Sequence, residues 1–171
     1  MSDKVETRWE GKYLAVRKQG GWEWAERKGE IGAAVIVAID DRDHLIMVEQ
    51  ERTPVGRRCL ELPAGLVGDE AEGESLEDAA RRELEEETGY RAERIEALGE
   101  FFSSPGMTSE RFTVVRATGL TRSGDGGGAG DEDITVHHVP RADVSAFVRE
   151  KRAAGLGIDG KILLVLNLAG L

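Results

Sequence analysis

Cysteine is all but missing from this chain: Cys59 stands alone among 171 residues. An intramolecular disulfide is therefore excluded, and a buried, inert thiol is the expectation for Cys59. No stretch approaches the roughly 20 apolar residues that a membrane-spanning helix needs. The opening residues Met1-Ser2-Asp3-Lys4-Val5-Glu6 contain no apolar core of a secretory leader, so the cytoplasm is the expected compartment. Positive charge is also short. Twenty-three Lys and Arg face 33 Asp and Glu, for a net charge of −10. That balance argues against a broad basic surface for nucleic acid, and no basic helix-turn-helix pattern is present. It leaves open a small anionic substrate met by local cations. His137 and His138 have no Cys or His partner at ligand spacing, so they read as structural and no zinc site is expected. No internal repeat is visible. What remains is ordinary for a globular protein: 40% hydrophobic and 33% charged residues, enough for one domain with a core and a small appendage.

The pattern along the chain is mixed α/β. Lys12 to Lys18 and Trp22 to Arg27 alternate like strands around Gln19-Gly20-Gly21, a hairpin signal. A lone hairpin is marginal and must pack on something. Ile31 to Ile39 is continuously apolar and β-branched, which predicts a strand buried on both faces. Further strands are expected at His44 to Gln50, Ile95 to Phe102, Arg111 to Thr118 and Ile134 to Val139. Leu60 to Gly65 leads into an acidic helix. Residues 122–131 hold five glycines between 124 and 130 and read as a flexible loop. Pro140 to Asp143 start a helix running to about Ala154, and Asp159 caps a final apolar helix.

The acidic helix carries the chemistry. Ser75 is a suitable N-cap and Gly89 a suitable left-handed C-cap. At about 100° per residue from Leu76, Glu83 and Glu87 fall about 20° to either side and Ala80 about 40° away. Glu86 sits about 80° off, while Asp78, Arg81 and Glu85 occupy the opposite, solvated face. Two carboxylates therefore share the stripe that should bury. Such a pair repels by about 4 kcal/mol at 4 Å and an effective dielectric of 20. A divalent cation relieves the repulsion, and hard cations prefer carboxylate oxygen. A Glu-rich helix on a solvated surface is the alternative reading of the composition alone.

Gly68, Glu74, Arg82, Glu83, Leu84, Glu86, Glu87, Gly89 and Tyr90 have a specific spacing. It is glycine, five residues, glutamate, seven residues, then Arg-Glu-apolar-any-Glu-Glu-any-Gly-apolar. This segment resembles the Nudix box and departs from it nowhere. The resemblance implies an α/β/α sandwich with a mixed sheet that hydrolyses a nucleoside diphosphate linked to a further group, using Mg²⁺ or Mn²⁺. Four other segments are similar to the ADP-ribose pyrophosphatase (ADP-sugar diphosphatase) branch. They are Gln50-Glu51-Arg52, Glu61-Leu62-Pro63-Ala64-Gly65, Ser104-Pro105-Gly106-Met107-Thr108-Ser109-Glu110 and Asp131-Glu132-Asp133-Ile134-Thr135-Val136.

That likeness implies roles residue by residue. Glu83, Glu86, Glu87 and the Ala64 carbonyl would hold metal. Arg82 would fix the glutamates or the preceding loop by a salt bridge. Glu132 would be the general base or an extra ligand, with Asp131 and Asp133 as substitutes if the register differs. Arg52 could grip the diphosphate through its planar fork. Pro105-Gly106 could bring backbone close to ligand, and Glu110 could orient water or an arginine. Each of these also has a plain reading as a turn or a solvated side chain. Trp22 and Trp24 share a strand face. One of them, Trp24 in particular, could stack on a purine beside Arg27, or both could pack at an interface. In relatives the N-terminal strands exchange between subunits, which implies a homodimer. The expected division is residues 1–30, an N-terminal antiparallel hairpin or sheet, and residues 31–171, the hydrolase domain. The expected activity is metal-dependent cleavage of ADP-ribose to AMP and ribose 5-phosphate. The alternatives are another sugar nucleotide such as GDP-mannose, or a catalytically silent ADP-ribose sensor. A sanitiser of mutagenic nucleotides fits the Ser104-Pro105-Gly106 segment less well.

Overall fold

The computed structural model describes residues 4–30, 32–68, 73–130 and 132–168. Ile31, the expected first residue of an apolar strand, and Asp131, a possible substitute for Glu132, lie outside the described residues. The first three strands, β1 (Glu6–Glu10), β2 (Leu14–Gln19) and β3 (Trp22–Arg27), form an antiparallel sheet of their own. The expected hairpin is β2–β3, turned at Gly20, whose φ of 59° suits glycine. β1 adds a third strand, separated from β2 by Gly11, Lys12 and Tyr13.

Two four-stranded sheets form the body. One has the order β10 (Thr135–Pro140), β5 (His44–Arg52), β6 (Arg57–Glu61), β11 (Gly157–Ile158). The other runs β7 (Ala64–Leu66), β4 (Ala33–Ala38), β9 (Arg111–Arg122), β8 (Tyr90–Phe102). β4 shows why an unbroken apolar run was needed. It pairs antiparallel with β7 and parallel with β9. Its side chains alternate between two cores. Ala34, Ile36 and Ala38 pack with Ala80 and Leu84 of helix α1 (Leu76–Thr88). Val35 and Val37 pack with Val144 of α2 (Val144–Ala153) and with Ile162 and Val165 of α3 (Lys161–Leu168). Helices thus cover both faces of the mixed sheets, the α/β/α sandwich expected.

Several boundaries differ from the expectation. β8 starts at Tyr90, directly after the helix cap, rather than at Ile95. β6 begins in the charged Arg57-Arg58 pair, which hid it. β11 is two residues long and pairs parallel with β6, too short for any periodic signal. Pro140 ends β10 rather than opening a helix; a 3-10 turn at Arg141–Asp143 intervenes before α2.

Glu49 of β5 ties one edge together. It accepts from Lys151 Nζ of α2 at 2.9 Å and from Arg58 Nε of β6 at 3.0 Å, with His137 Nε2 of β10 at 3.0 Å. Burial alone would raise its pKa, but these donors outweigh burial and bring it down to about 2.

Candidate active site

α1 is built to aim acid inward. The Ser75 hydroxyl accepts the Asp78 N–H at 3.1 Å, and Gly89 closes the helix at φ 72°. Between these caps Glu87 is only 5% exposed, on the stripe that buries Ala80 and Leu84. Glu87 and Glu83 line a cavity of about 620 Å³ that opens between the two body sheets, together with Ala64, Gly65 and Glu132. Glu87 Oε2 accepts the Ala64 N–H at 3.1 Å. Glu83 lies across Gly65 so closely that a Cβ there would sit 1.8 Å from its Cδ. Glycine at 65 is what gives that carboxylate its room. Burial pushes the Glu87 carboxyl up to about 8; the Ala64 N–H opposes this, the Glu83 and Glu132 charges add to it, and Arg52 opposes it again.

Arg82 sits behind this wall as a clip. Its Nε reaches Glu74 Oε1 at 3.0 Å, its Nη1 reaches Glu83 Oε1 at 2.8 Å, and its Nη2 donates to the Leu66 carbonyl at 3.3 Å. Glu74 in turn accepts the Gly68 N–H at 3.0 Å. The Glu74 carboxylate above all, with Glu83, raises the Arg82 pKa further. One guanidinium therefore joins the end of the glycine-flanked loop, β7 and the acidic helix. Glu86 lies outside the cavity wall; its Oε2 is 3.4 Å from Arg82 Nη1 and its side chain is 34% exposed.

The glycine-rich segment does something the sequence did not suggest. Rather than hanging free, it docks on the open C-terminus of α1. Gly127 N–H donates to the Glu87 carbonyl and Gly128 N–H to the Glu86 carbonyl, both at 3.0 Å. Ser123 N–H donates to the Gly89 carbonyl at 2.7 Å. These are the carbonyls that a helix end leaves unpaired. The approach is so close that a Cβ on Gly126 would lie 2.4 Å from the Thr88 carbonyl carbon, and φ there is +69°. The segment thereby delivers Glu132 to the cavity, its Oε2 accepting the Ala129 N–H at 2.9 Å. Asp133 turns elsewhere, to Arg58 Nη1 at 2.9 Å.

Ion pairs line another part of the cavity. Arg52 grips Glu61 with two bonds of 2.7 Å. Arg27 Nη2 stands 3.9 Å from Glu110 Oε1. β3 brings Arg27 there by docking on the loop before β9: Ala25 N–H donates to the Met107 carbonyl at 3.0 Å, and Ser109 N–H to the Ala25 carbonyl at 3.1 Å. Trp24 is half-buried on the same strand but does not line the cavity, and Pro105 and Gly106 lie exposed in the docking loop. Glu61, Asp159, Lys161 and Phe112 line the cavity without having been singled out from sequence. Glu61 carried a signal, a charge inside the buried run Cys59-Leu60-Glu61-Leu62. Asp159 was read only as a helix cap.

Glu83, Glu87, Glu132 and the Ala64 carbonyl form an all-oxygen donor set with excess negative charge, which suits Mg²⁺ or Mn²⁺. As placed, no three Asp, Glu, His or Cys side chains among the described residues stand close enough to enclose an ion. Glu83 is turned toward Arg82 and Glu87 toward the Ala64 N–H.

A model of the NUDIX domain matches residues 30–155. The chain is 36% identical over 152 residues to an ADP-ribose pyrophosphatase of Mycobacterium tuberculosis, covering 88% of this chain and 68% of that one. It is 39% identical over 127 residues to the ADP-ribose pyrophosphatase of Escherichia coli K12, covering 69% and 59%. A methanol dehydrogenase activator of Bacillus methanolicus is 35% identical over 122 residues, covering 71% and 64%. Among solved structures, an ADP compounds hydrolase aligns with a TM-score of 0.69 at 25% identity, covering 85% and 80%. The chain spans 64%, 49% and 47% of three of the curated relatives it matches.

Proposed function

The chain belongs to the Nudix family, and on that premise we propose that it hydrolyses the diphosphate of ADP-ribose or a closely related nucleoside diphosphate sugar. With ADP-ribose the products are AMP and ribose 5-phosphate. The observation that carries this reading is the meeting of Glu83, Glu87 and Glu132 with Arg27 and Arg52 around one cavity. The acidic end suits a cation and the basic wall suits the phosphates.

Water attacks one phosphorus, the bridging oxygen leaves with the electrons of the broken P–O bond, and the proton from water passes to Glu132 or to solvent. Arg52 presents a planar fork to phosphate oxygens, in exchange for part of its pairing with Glu61. Arg82 keeps Glu83 and the Gly68 loop in register. Glu83, Glu87 and the Ala64 carbonyl are the proposed ligands of Mg²⁺ or Mn²⁺, and Glu86, outside the cavity wall beside Arg82, would join them by turning inward; the bound ion would neutralise the diphosphate and acidify water. Arg27, Glu110 and the loop holding Pro105 and Gly106 form the nucleoside side, with Trp24 behind them.

We also infer a homodimer. Its support is the N-terminal sheet, which stands apart from both helix-covered cores and exposes Trp22 at 67%, Tyr13 at 63% and Trp9 at 58%. Residues 1–30 are then an exchange module on a domain formed by 31–171. Among the described residues no helix is long and apolar enough to cross a membrane.

A panel of ADP-ribose, ADP-glucose, GDP-mannose and nucleoside triphosphates, each with Mg²⁺, tests the assignment. ADP-ribose or another ADP-sugar should be cleaved best. Preference for a triphosphate over every sugar nucleotide would reject it, and tight ADP-ribose binding without turnover would make the protein a sensor.

A further inference from the structure

Asp159 and Lys161 stand in the wall of the same cavity as Glu83 and Glu87, and nothing in the mechanism uses them. Their place is fixed by the two-residue strand β11. Ile158 pairs with Leu60, and Asp159 N–H donates to the Leu60 carbonyl at 3.0 Å, next to Glu61 and its partner Arg52. Asp159 Oδ1 accepts the Lys161 N–H at 2.8 Å, which caps α3. Asp159 Oδ2 also pairs with Lys161 Nζ, and that ammonium lies 5.8 Å from the ring centre of Phe112, another wall residue.

The cap needs only the Asp159 carboxylate. Lys161 is the first residue of α3, where the helix dipole disfavours a cation. The pair with Asp159 offsets that cost, but a neutral side chain would avoid it, so an ammonium in the cavity wall calls for another reason. The neighbouring pairs indicate one. Arg52 is matched by Glu61, Arg27 by Glu110 and Lys161 by Asp159. Arg52 holds Glu61 through Nε and Nη2 and keeps further N–H donors for phosphate, whereas Lys161 has a single ammonium, already held by Asp159, so a second phosphate arriving there would meet the carboxylate as well. A neutral hydroxyl, which donates and accepts at once, satisfies both.

Resting on the hydrolase reading above, we propose that Asp159 and Lys161 form the specificity subsite for the group on the second phosphate, and that this group is an uncharged, hydroxyl-bearing sugar. The pair positions and selects; it takes no part in bond breaking.

The test compares ADP-ribose with the β-methyl ester of ADP, which keeps the adenosine and the diphosphate and lacks the second sugar. Wild type should favour ADP-ribose in kcat/KM. Lys161→Met and Asp159→Asn should each reduce that preference about tenfold, through KM for ADP-ribose, with the methyl ester unaffected. Thermal melting separates a structural role: Lys161→Met should melt no lower than wild type. Equilibrium binding of both ligands in a Glu87→Gln background reads the same preference without turnover. Preference unchanged in both variants, or both ligands weakened alike, would overturn the subsite. A wild type that cleaves neither ligand, yet binds ADP-ribose with a preference lost in Lys161→Met, would sink the hydrolase reading and leave the subsite standing.

Discussion

Glu87 carries the most consequence of any single side chain. It is buried, it faces Glu83 and Glu132, and its carboxyl is pushed up to about 8. Glu87→Gln keeps the shape and the bond from the Ala64 N–H while removing the charge. Turnover should fall on the order of a hundredfold to a thousandfold, measured as AMP release under saturating substrate. The same change should alter stability in the opposite sense. A carboxyl whose folded pKa is raised holds its proton while the unfolded chain loses it. In EDTA, wild type should therefore lose stability steadily from about pH 4.5 to about pH 8 relative to Glu87→Gln, with a constant gap above that. Equal pH profiles for the two proteins would show that burial does not strain this group. At this scale the sequence spoke clearly where spacing mattered: the helix period alone placed Glu83 and Glu87 on the buried stripe. It read Asp159 only as a helix cap and was silent on Lys161, because only a two-residue parallel strand brings them to the cavity.

Elements show where local pattern runs out. Both caps of α1, the alternation of β4 and the β2–β3 turn follow from short-range chemistry, and all were legible. The segment at residues 122–130 was not. Five glycines suggested mobility, yet Gly126 lies against the last turn of α1 and the Gly127 and Gly128 amides satisfy its free carbonyls. That is a contact across some 40 residues of sequence, invisible to any window. Gly126→Ala should be severe for an exposed-loop substitution. It must leave a left-handed conformation and relieve a 2.4 Å approach, so a loss of about 1–3 kcal/mol in denaturant unfolding is expected. Because the segment carries Glu132, turnover should fall as well. Hydrogen exchange supplies a second reading: the Gly127 and Gly128 amides should be protected in wild type and should exchange faster in Gly126→Ala.

At the scale of the whole molecule, the apolar periodicity predicted a mixed α/β chain and the resemblance to the Nudix box implied an α/β/α sandwich, which two cores on either side of the sheets realise. Acid should dismantle this arrangement through Glu49. Its folded pKa is lowered, so its contribution is complete above about 4.5 and disappears as pH falls toward 2. The shift corresponds to on the order of 3 kcal/mol. Between those pH values the melting temperature of wild type should fall more steeply than that of Glu49→Gln, and parallel curves would remove Glu49 from the account. The N-terminal sheet makes a separate prediction. The double variant Trp9→Glu, Trp22→Glu should sediment as a monomer where wild type sediments as a dimer; a monomeric wild type would contradict the assembly. All of this depends on α1 presenting its carboxylates to a cation beside the diphosphate. Anomalous scattering from a crystal soaked in Mn²⁺ and a non-hydrolysable ADP-ribose analogue tests that directly. The account predicts manganese bounded by Glu83, Glu87 and the Ala64 carbonyl, against the phosphates. Ordered analogue in the cavity with no manganese at those oxygens would contradict it.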